Sequence, residues 1–147
     1  MSKDWLVKSM EMAFQRNKGL WADSLLDVLE GLTPEQAMWK PEGKDIHSIE
    51  EIVNHIISGE QFIVSALGGE KPSYEENAEE SMSWEDTVRK LEDVHNRLTS
   101  LLKEKDINLD DRIPGEDSPW GEMLFGVLAH CCYHTGQIII LKALQGL

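Results

Sequence analysis

Apolar residues recur at intervals of three and four along four stretches of the chain, which is the period of an amphipathic helix. The four predicted helices span residues 4–30, Ser48 to Gly68-Gly69, Ser83 to about Lys105, and Ser118 to about Gln145. In the last helix, Ser118 is the cap and Pro119 takes the first helical position. No stretch shows the strict alternation of a β-strand. The pattern predicts an all-α protein, a four-helix bundle, folded as a single domain over residues 1–147.

The ends of the predicted helices and the lengths between them suggest how the bundle is connected. Ser48 followed by Glu51 is a capping box, and it marks the start of the second helix. Trp21 falls on the apolar stripe of the first helix, and the acidic segment 70–82 is expected to be a solvated surface loop. Connections of about 15 residues exceed those of a simple up-down bundle, so at least one crossover is expected.

Charge and composition narrow the classes of partner. The 147 residues include 27 acidic and 14 basic ones, for a net charge of -13. Such a surface repels nucleic-acid phosphates and anionic lipid and attracts cations, so no nucleic-acid or membrane binding is expected. The apolar run Ile138–Leu141 is too short to span a bilayer, and the N-terminus does not resemble a signal peptide. A cytoplasmic location is predicted, which agrees with two adjacent cysteines that are too close to pair.

Two histidines on the fourth helix carry the clearest chemical signal. His130 and His134 are four residues apart, which places both imidazoles on one helix face, within reach of one metal ion. The same face carries apolar residues, so the pair is expected to point into the bundle, where unpaired polar groups are costly. His55 lies on the core stripe of the second helix and is the expected third ligand. Ser58 and Gly59 beside it predict a pocket.

Three imidazoles on one ion would leave at least one coordination position for water or substrate, as in reactive rather than structural sites. Imidazole suits zinc, nickel, copper or iron. The residues alone leave a second interpretation open, in which the histidines are hydrogen-bonded core residues and no metal is bound.

Two segments resemble a known family. Trp39-Lys40-Pro41 followed by Ser48 through Ile56, and Trp120 through Ile138 with its H-x-x-x-H-x-G-Q pattern, resemble the DinB-like (YfiT-like) superfamily of metal-binding four-helix bundles. The resemblance implies one divalent metal ion, zinc or nickel, bound by His55, His130 and His134. It also implies an up-down-down-up bundle with long connections and a homodimer.

The resemblance further implies a class of reaction. Characterised relatives include thiol S-transferases that use bacillithiol, mycothiol or glutathione, and a mycothiol-dependent isomerase. We therefore expect a metal-dependent enzyme that transfers a low-molecular-weight thiol onto an electrophilic small molecule. The alternatives are a metal-dependent hydrolase, which would activate water at the same site, and a non-catalytic, stress-related metal-binding bundle.

Three further residues are candidates for roles beside the metal. Glu51 lies one turn before His55 and is a weak candidate for a general base, although the capping box already accounts for it. Tyr133 is a weak candidate for donating to a bound oxygen, and a packing role is equally compatible. Gln137 is expected to orient a ligand imidazole, or else to bond between helices.

Other reactive residue types are expected to lie outside the site. Glu60 is predicted to face solvent, His95 to lie at the surface or an interface, and His47 to belong to a loop. Cys131 and Cys132 point away from the ligand direction on a regular helix and are expected to be small packing residues.

Overall fold

The computed structural model describes residues 2–70 and 82–147, and these residues form helices without any strand. The helices are α1 Lys3–Phe14, α2 Leu25–Leu29, α3 Pro34–Met38, α4 Ile49–Gly68, α5 Trp84–Glu104 and α6 Trp120–Leu144. The predicted all-α class is therefore confirmed. The acidic loop predicted at 70–82 falls almost wholly outside the described residues.

The first predicted helix, residues 4–30, is wrong as a single element. Helix α1 ends at Phe14, and the short α2 begins only at Leu25. Asn17 adopts the left-handed conformation with φ 57°, and its backbone N–H donates to the Asp27 carboxylate at 3.0 Å. The helical repeat is already broken at Gln15, whose backbone is extended, and the Asn17 contact then ties the loop to α2. Trp21, expected on the core stripe, is fully exposed in the resulting loop.

The start of α4 follows the sequence prediction and fixes the helix that carries His55. The Ser48 hydroxyl accepts from the Glu51 backbone N–H at 3.2 Å, and the Ser48 N–H donates to the Glu51 carboxylate at 2.8 Å. The helix stops before Gly69, whose φ of 80° suits glycine. Ser83 caps α5, also as predicted.

The start of α6 differs from the prediction by one residue. Pro119, rather than Ser118, occupies the cap position, and it offers no side-chain hydrogen bond. Instead, the first two N–H groups of the helix donate to the backbone carbonyls of Asp111 and Leu109, at 2.9 and 2.8 Å. The preceding loop thus satisfies donors that would otherwise be left without partners.

Packing brings α4 and α6 together. Helix α4 packs against α3, α5 and α6, and α1 packs against α2, α5 and α6. The buried core divides into two clusters, one around Leu25, Ile52 and Leu91 and the other around Leu6, Ile63 and Leu124. The bundle arrangement and its up-down-down-up topology remain predictions.

Helix α6 keeps a wide apolar surface on its outer side. By length and composition it is the one helix among the described residues that could cross a membrane, which is weak evidence since core helices of soluble proteins meet the same criterion. No charged residue lies between Glu122 and Lys142. We call the exposed residues of α6 that follow Glu122 the outer α6 face: Phe125, Gly126, Ala129, Cys132, Tyr133, Gly136, Ile139, Ile140, Ala143 and Leu144.

Candidate metal centre

The three histidines singled out by the sequence converge between α4 and α6. The His130 Nε2 atom lies 2.9 Å from the His55 Nε2 atom and 3.0 Å from the His134 Nε2 atom. One nitrogen from each ring falls within 4.8 Å of the other two. Helix α4 supplies one imidazole and α6 supplies two, one turn apart, as their spacing requires.

This nitrogen geometry fits a small divalent cation. Tetrahedral zinc holds imidazole nitrogens at about 2.0–2.1 Å, which separates two such nitrogens by roughly 3.3 Å. The observed separations of 2.9 and 3.0 Å differ from that value by a few tenths of an ångström. Small ring rotations would therefore suffice to bind an ion. The donor set of three imidazoles suits zinc, nickel, copper or iron.

The surroundings of His130 and His134 favour their neutral imidazoles, which are the form that binds metal. Burial lowers the pKa of His130 to about 4, and the neighbouring His134 and His55 add to the effect. Burial also lowers the pKa of His134, against an opposing hydrogen bond to Gln137. At neutral pH these two rings carry free lone pairs.

Gln137 contacts the cluster in the way its predicted orienting role requires. The His134 Nδ1 atom lies 2.6 Å from the Gln137 Oε1 atom, and since a carbonyl oxygen only accepts, Nδ1 is the donor. The proton on Nδ1 leaves the His134 Nε2 lone pair free to face the other two rings. Gln137 in turn donates to the Tyr133 hydroxyl at 3.0 Å. Tyr133 is mostly exposed and lies edge-on to the His134 ring.

The prediction that the histidine pair points deep into the bundle is wrong. His130 and His134 are only half-buried, and they flank the buried stripe of α6 instead of lying on it. That stripe consists of Trp120, Leu124, Cys131, Thr135, Ile138 and Leu141. Because the centre lies at the edge of the core, a small molecule can reach it without unfolding a helix.

A pocket adjoins the centre on the His130 side, between α4 and α6. Its volume is about 520 Å³, which is in the range of ligand-binding clefts. Gly59 contributes to its wall, and a Cβ atom there would lie 3.7 Å from His130 Cε1. Apolar side chains form most of the lining, among them Ile56, Phe62, Ile63, Met123 and Val127.

Comparison with known proteins identifies the family. A protein-family model described as the DinB superfamily matches residues 20–138, which is most of the chain. The chain belongs to the DinB superfamily. No match was found among curated proteins or among solved structures. The resemblance seen in the two histidine-bearing motifs is thus confirmed at the level of the superfamily.

In this DinB protein, Glu51 is fully engaged outside the histidine cluster. Its carboxylate accepts from the Ser48 backbone and pairs with Lys40 at 2.7 Å. Partial burial acts to raise the pKa of Glu51, but the hydrogen bonds from Lys40 and Ser48 outweigh it, and the pKa is lowered. A carboxylate with a lowered pKa is a weak proton acceptor, so its role as a cap accounts for it.

Two polar residues were misplaced by the sequence prediction. Glu60, expected in solvent, is 3% exposed, and His95, expected at the surface, is 1% exposed. The His95 Nδ1 atom lies 3.0 Å from the Glu60 Oε1 atom. Only the spacing of residues could have indicated this burial, because Glu60 falls between Ile56 and Ile63 on the buried stripe of α4. His95 occupies the equivalent place between buried leucines of α5.

The two adjacent cysteines differ in their exposure to solvent. Cys131 is buried and Cys132 is exposed, and both are free thiols. Burial raises the pKa of Cys131 far above its ordinary value, and the nearby Glu60 carboxylate adds to the shift. Cys131 is thus a protonated packing residue at neutral pH, as expected.

The lowered pKa of His130 predicts how acid affects the metal-free protein. Between pH 6.5 and about 4, the unfolded chain binds a proton at His130 that the folded chain does not. The free energy of unfolding should therefore fall as the pH drops through this window and should not depend on His130 above it. Urea unfolding of chelator-treated protein would measure this. The substitution His130→Asn should flatten the slope, and an unchanged slope would contradict the assignment.

Proposed function

We propose that this DinB protein binds one divalent metal ion, zinc or nickel, through His55, His130 and His134. The convergence of the three Nε2 atoms, with two separations of 2.9 and 3.0 Å, carries the proposal. The lowered pKa values of His130 and His134 and the Gln137 bond to His134 support it, because both favour nitrogen lone pairs that can face an ion.

We further propose that the protein is a cytoplasmic thiol S-transferase. A bound divalent ion would supply a Lewis acid that favours the thiolate form of a low-molecular-weight thiol at neutral pH. Around it, the half-buried histidines leave a side open to solvent, from which a thiol can approach. The apolar pocket beside His130 can hold an electrophile and exclude water from it. Characterised members of the family include thiol transferases, which agrees with a site in which the metal binds the thiol and the pocket binds the electrophile.

The surroundings of the cluster favour transfer over hydrolysis. A metal-dependent hydrolase commonly has a carboxylate near its water, to act as a base. Within the described residues, the cluster contains three histidines and no carboxylate. Glu51, the nearest candidate along the sequence, is held by Ser48 and Lys40. Attack by a thiolate requires no such base, because the nucleophile is already deprotonated.

The metal proposal predicts a difference between two histidine substitutions. His134→Ala removes a ligand and should reduce the metal content from about one ion per chain to less than about one tenth of that. His47→Ala removes an exposed histidine outside the cluster and serves as the matched control. Elemental analysis after metal loading and desalting would measure both. Equal metal content in the two variants would contradict the ligand assignment.

The transferase proposal predicts conjugation of a fluorogenic electrophile. The metal-loaded protein should accelerate the reaction of monochlorobimane with bacillithiol, mycothiol or glutathione, with chloride as the leaving group. His134→Ala should be at least about tenfold slower, since it loses the ion. A nitrophenyl ester without thiol tests the alternative. Ester cleavage without conjugation would favour the hydrolase, and no turnover of either would favour a non-catalytic metal-binding protein.

We also propose that two copies associate through the outer α6 face, with each chain folded as the up-down-down-up bundle of its family. The packing of α1 and α4 each against both α5 and α6 supports the bundle. The outer α6 face is apolar and uncharged on a chain of net charge -13, so two copies can meet there without bringing like charges into contact. Its glycines and alanines would let two helices approach closely.

The dimer proposal predicts that a charge on this face separates the copies. Ile140→Glu should convert a dimer of about twice 16.7 kDa into a monomer. Asn54→Glu adds the same charge on the exposed side of α4 and should leave the dimer intact. Light scattering coupled to size-exclusion chromatography would measure the mass. A wild-type monomer at micromolar concentration would refute the proposal.

A further inference from the structure

Two glycines lie one helical turn from histidines of the candidate metal centre. Gly59 follows His55 by four residues on α4, and Gly126 precedes His130 by four residues on α6. Residues four apart share a helix face, so each glycine lies on the same side of its helix as the histidine. Both glycines line the pocket of about 520 Å³ between the two helices.

Neither glycine is required by the fold. Both lie inside regular helix, and neither has a positive φ. A Cβ atom at Gly59 would lie 3.7 Å from His130 Cε1, which is an ordinary contact, and a Cβ atom at Gly126 would meet no other part of the protein within 4 Å. Glycine in a helix interior is less stabilising than alanine, so local structure does not account for either residue. What the two glycines share is the space that they leave in the pocket.

The remaining walls of the pocket suit an aromatic ring. Phe62 and Met123 belong to the lining, and both an aromatic face and a thioether pack favourably on rings. Aliphatic side chains form much of the rest: Ile56, Ile63 and Val127. Because glycine has no side chain, a planar group can approach the backbone of both helices closely.

The walls offer no partner for an anion. The lining contains no lysine or arginine. Glu60 is 3% exposed and its carboxylate lies 3.0 Å from the His95 ring, so it presents no accessible oxygen to the pocket. Glu122 is exposed and adds negative charge. A carboxylate or a phosphate would therefore lose hydration without gaining an ion pair from the walls.

We propose that the pocket between α4 and α6 binds an uncharged aromatic small molecule, and that Gly126 determines the size of the ring system it admits. The pocket and its glycines stand on the geometry alone. Identifying the bound molecule as the electrophile of the thiol transfer rests on the proposed function.

Matched probes test the inference on metal-free protein. The probes are naphthalen-2-ylmethanol, its saturated and non-planar decalin analogue, and the anion naphthalene-2-carboxylate. Titration of chelator-treated, isotope-labelled protein would be followed at the backbone amides of Gly59 and Val127, which both line the pocket. The naphthyl alcohol should bind at least about threefold more tightly than the decalin analogue and about tenfold more tightly than the anion.

Two leucine substitutions on one helix then locate the site. Gly126→Leu should weaken binding of the naphthyl alcohol at least about tenfold, because the new side chain takes up space in the pocket. Gly136→Leu is the matched control and should leave binding unchanged, since Gly136 has the same open space around its Cβ position but lies outside the lining. Both glycines belong to the outer α6 face, so an effect on association of two copies would be common to both variants.

Stability of the variants is checked by circular dichroism. Leucine favours a helix over glycine, so both variants should fold. If Gly126→Leu does not fold, Gly126→Ala replaces it and should weaken binding about threefold, because its methyl group takes less of the space.

The outcomes either support or overturn the proposal. Equal affinity for the naphthyl alcohol and its decalin analogue, equal weakening by the Gly126 and Gly136 variants, or no shifts at Gly59 and Val127 would overturn it. The measurement needs neither metal nor thiol. If conjugation of monochlorobimane fails while binding still depends on Gly126, the proposed function is wrong and the pocket assignment stands.

Discussion

The contact between α4 and α6 at the histidine cluster is the constraint on which the functional architecture depends. The His55 and His130 nitrogens can lie 2.9 Å apart only if the two helices hold one register. The capping box of Ser48 and Glu51 fixes where α4 begins, and the loop carbonyls of Asp111 and Leu109 fix the start of α6. Each helix thus has a defined N-terminal end, and packing of both helices in one apolar core cluster brings their imidazoles together.

The sequence predicted those features that depend on short-range rules. The spacing of His130 and His134 and the capping box of α4 involve residues within four positions of one another, where helix geometry leaves little freedom. His55 was selected because it shared a stripe with apolar residues, and the structure brings it to the pair. The break of the first helix was missed, since it depends on the extended backbone at Gln15 and on a loop held by the bond between Asn17 and Asp27. The apolar periodicity of the sequence continues across the break, and it therefore predicted one long helix.

The burial of polar residues could not be predicted from their chemical type. Glu60 was assigned to solvent because it lies on the other side of its helix from His55, and His95 to the surface or an interface because it lies at the edge of its helix's apolar stripe. Each residue is in fact the partner of the other, contributed from α4 and α5, and neither helix alone reveals the pairing. The opposite error was made for the histidine pair of α6, which was expected to be buried because its neighbours on the helix are apolar. Only packing showed that the fully buried stripe passes beside it, through Cys131.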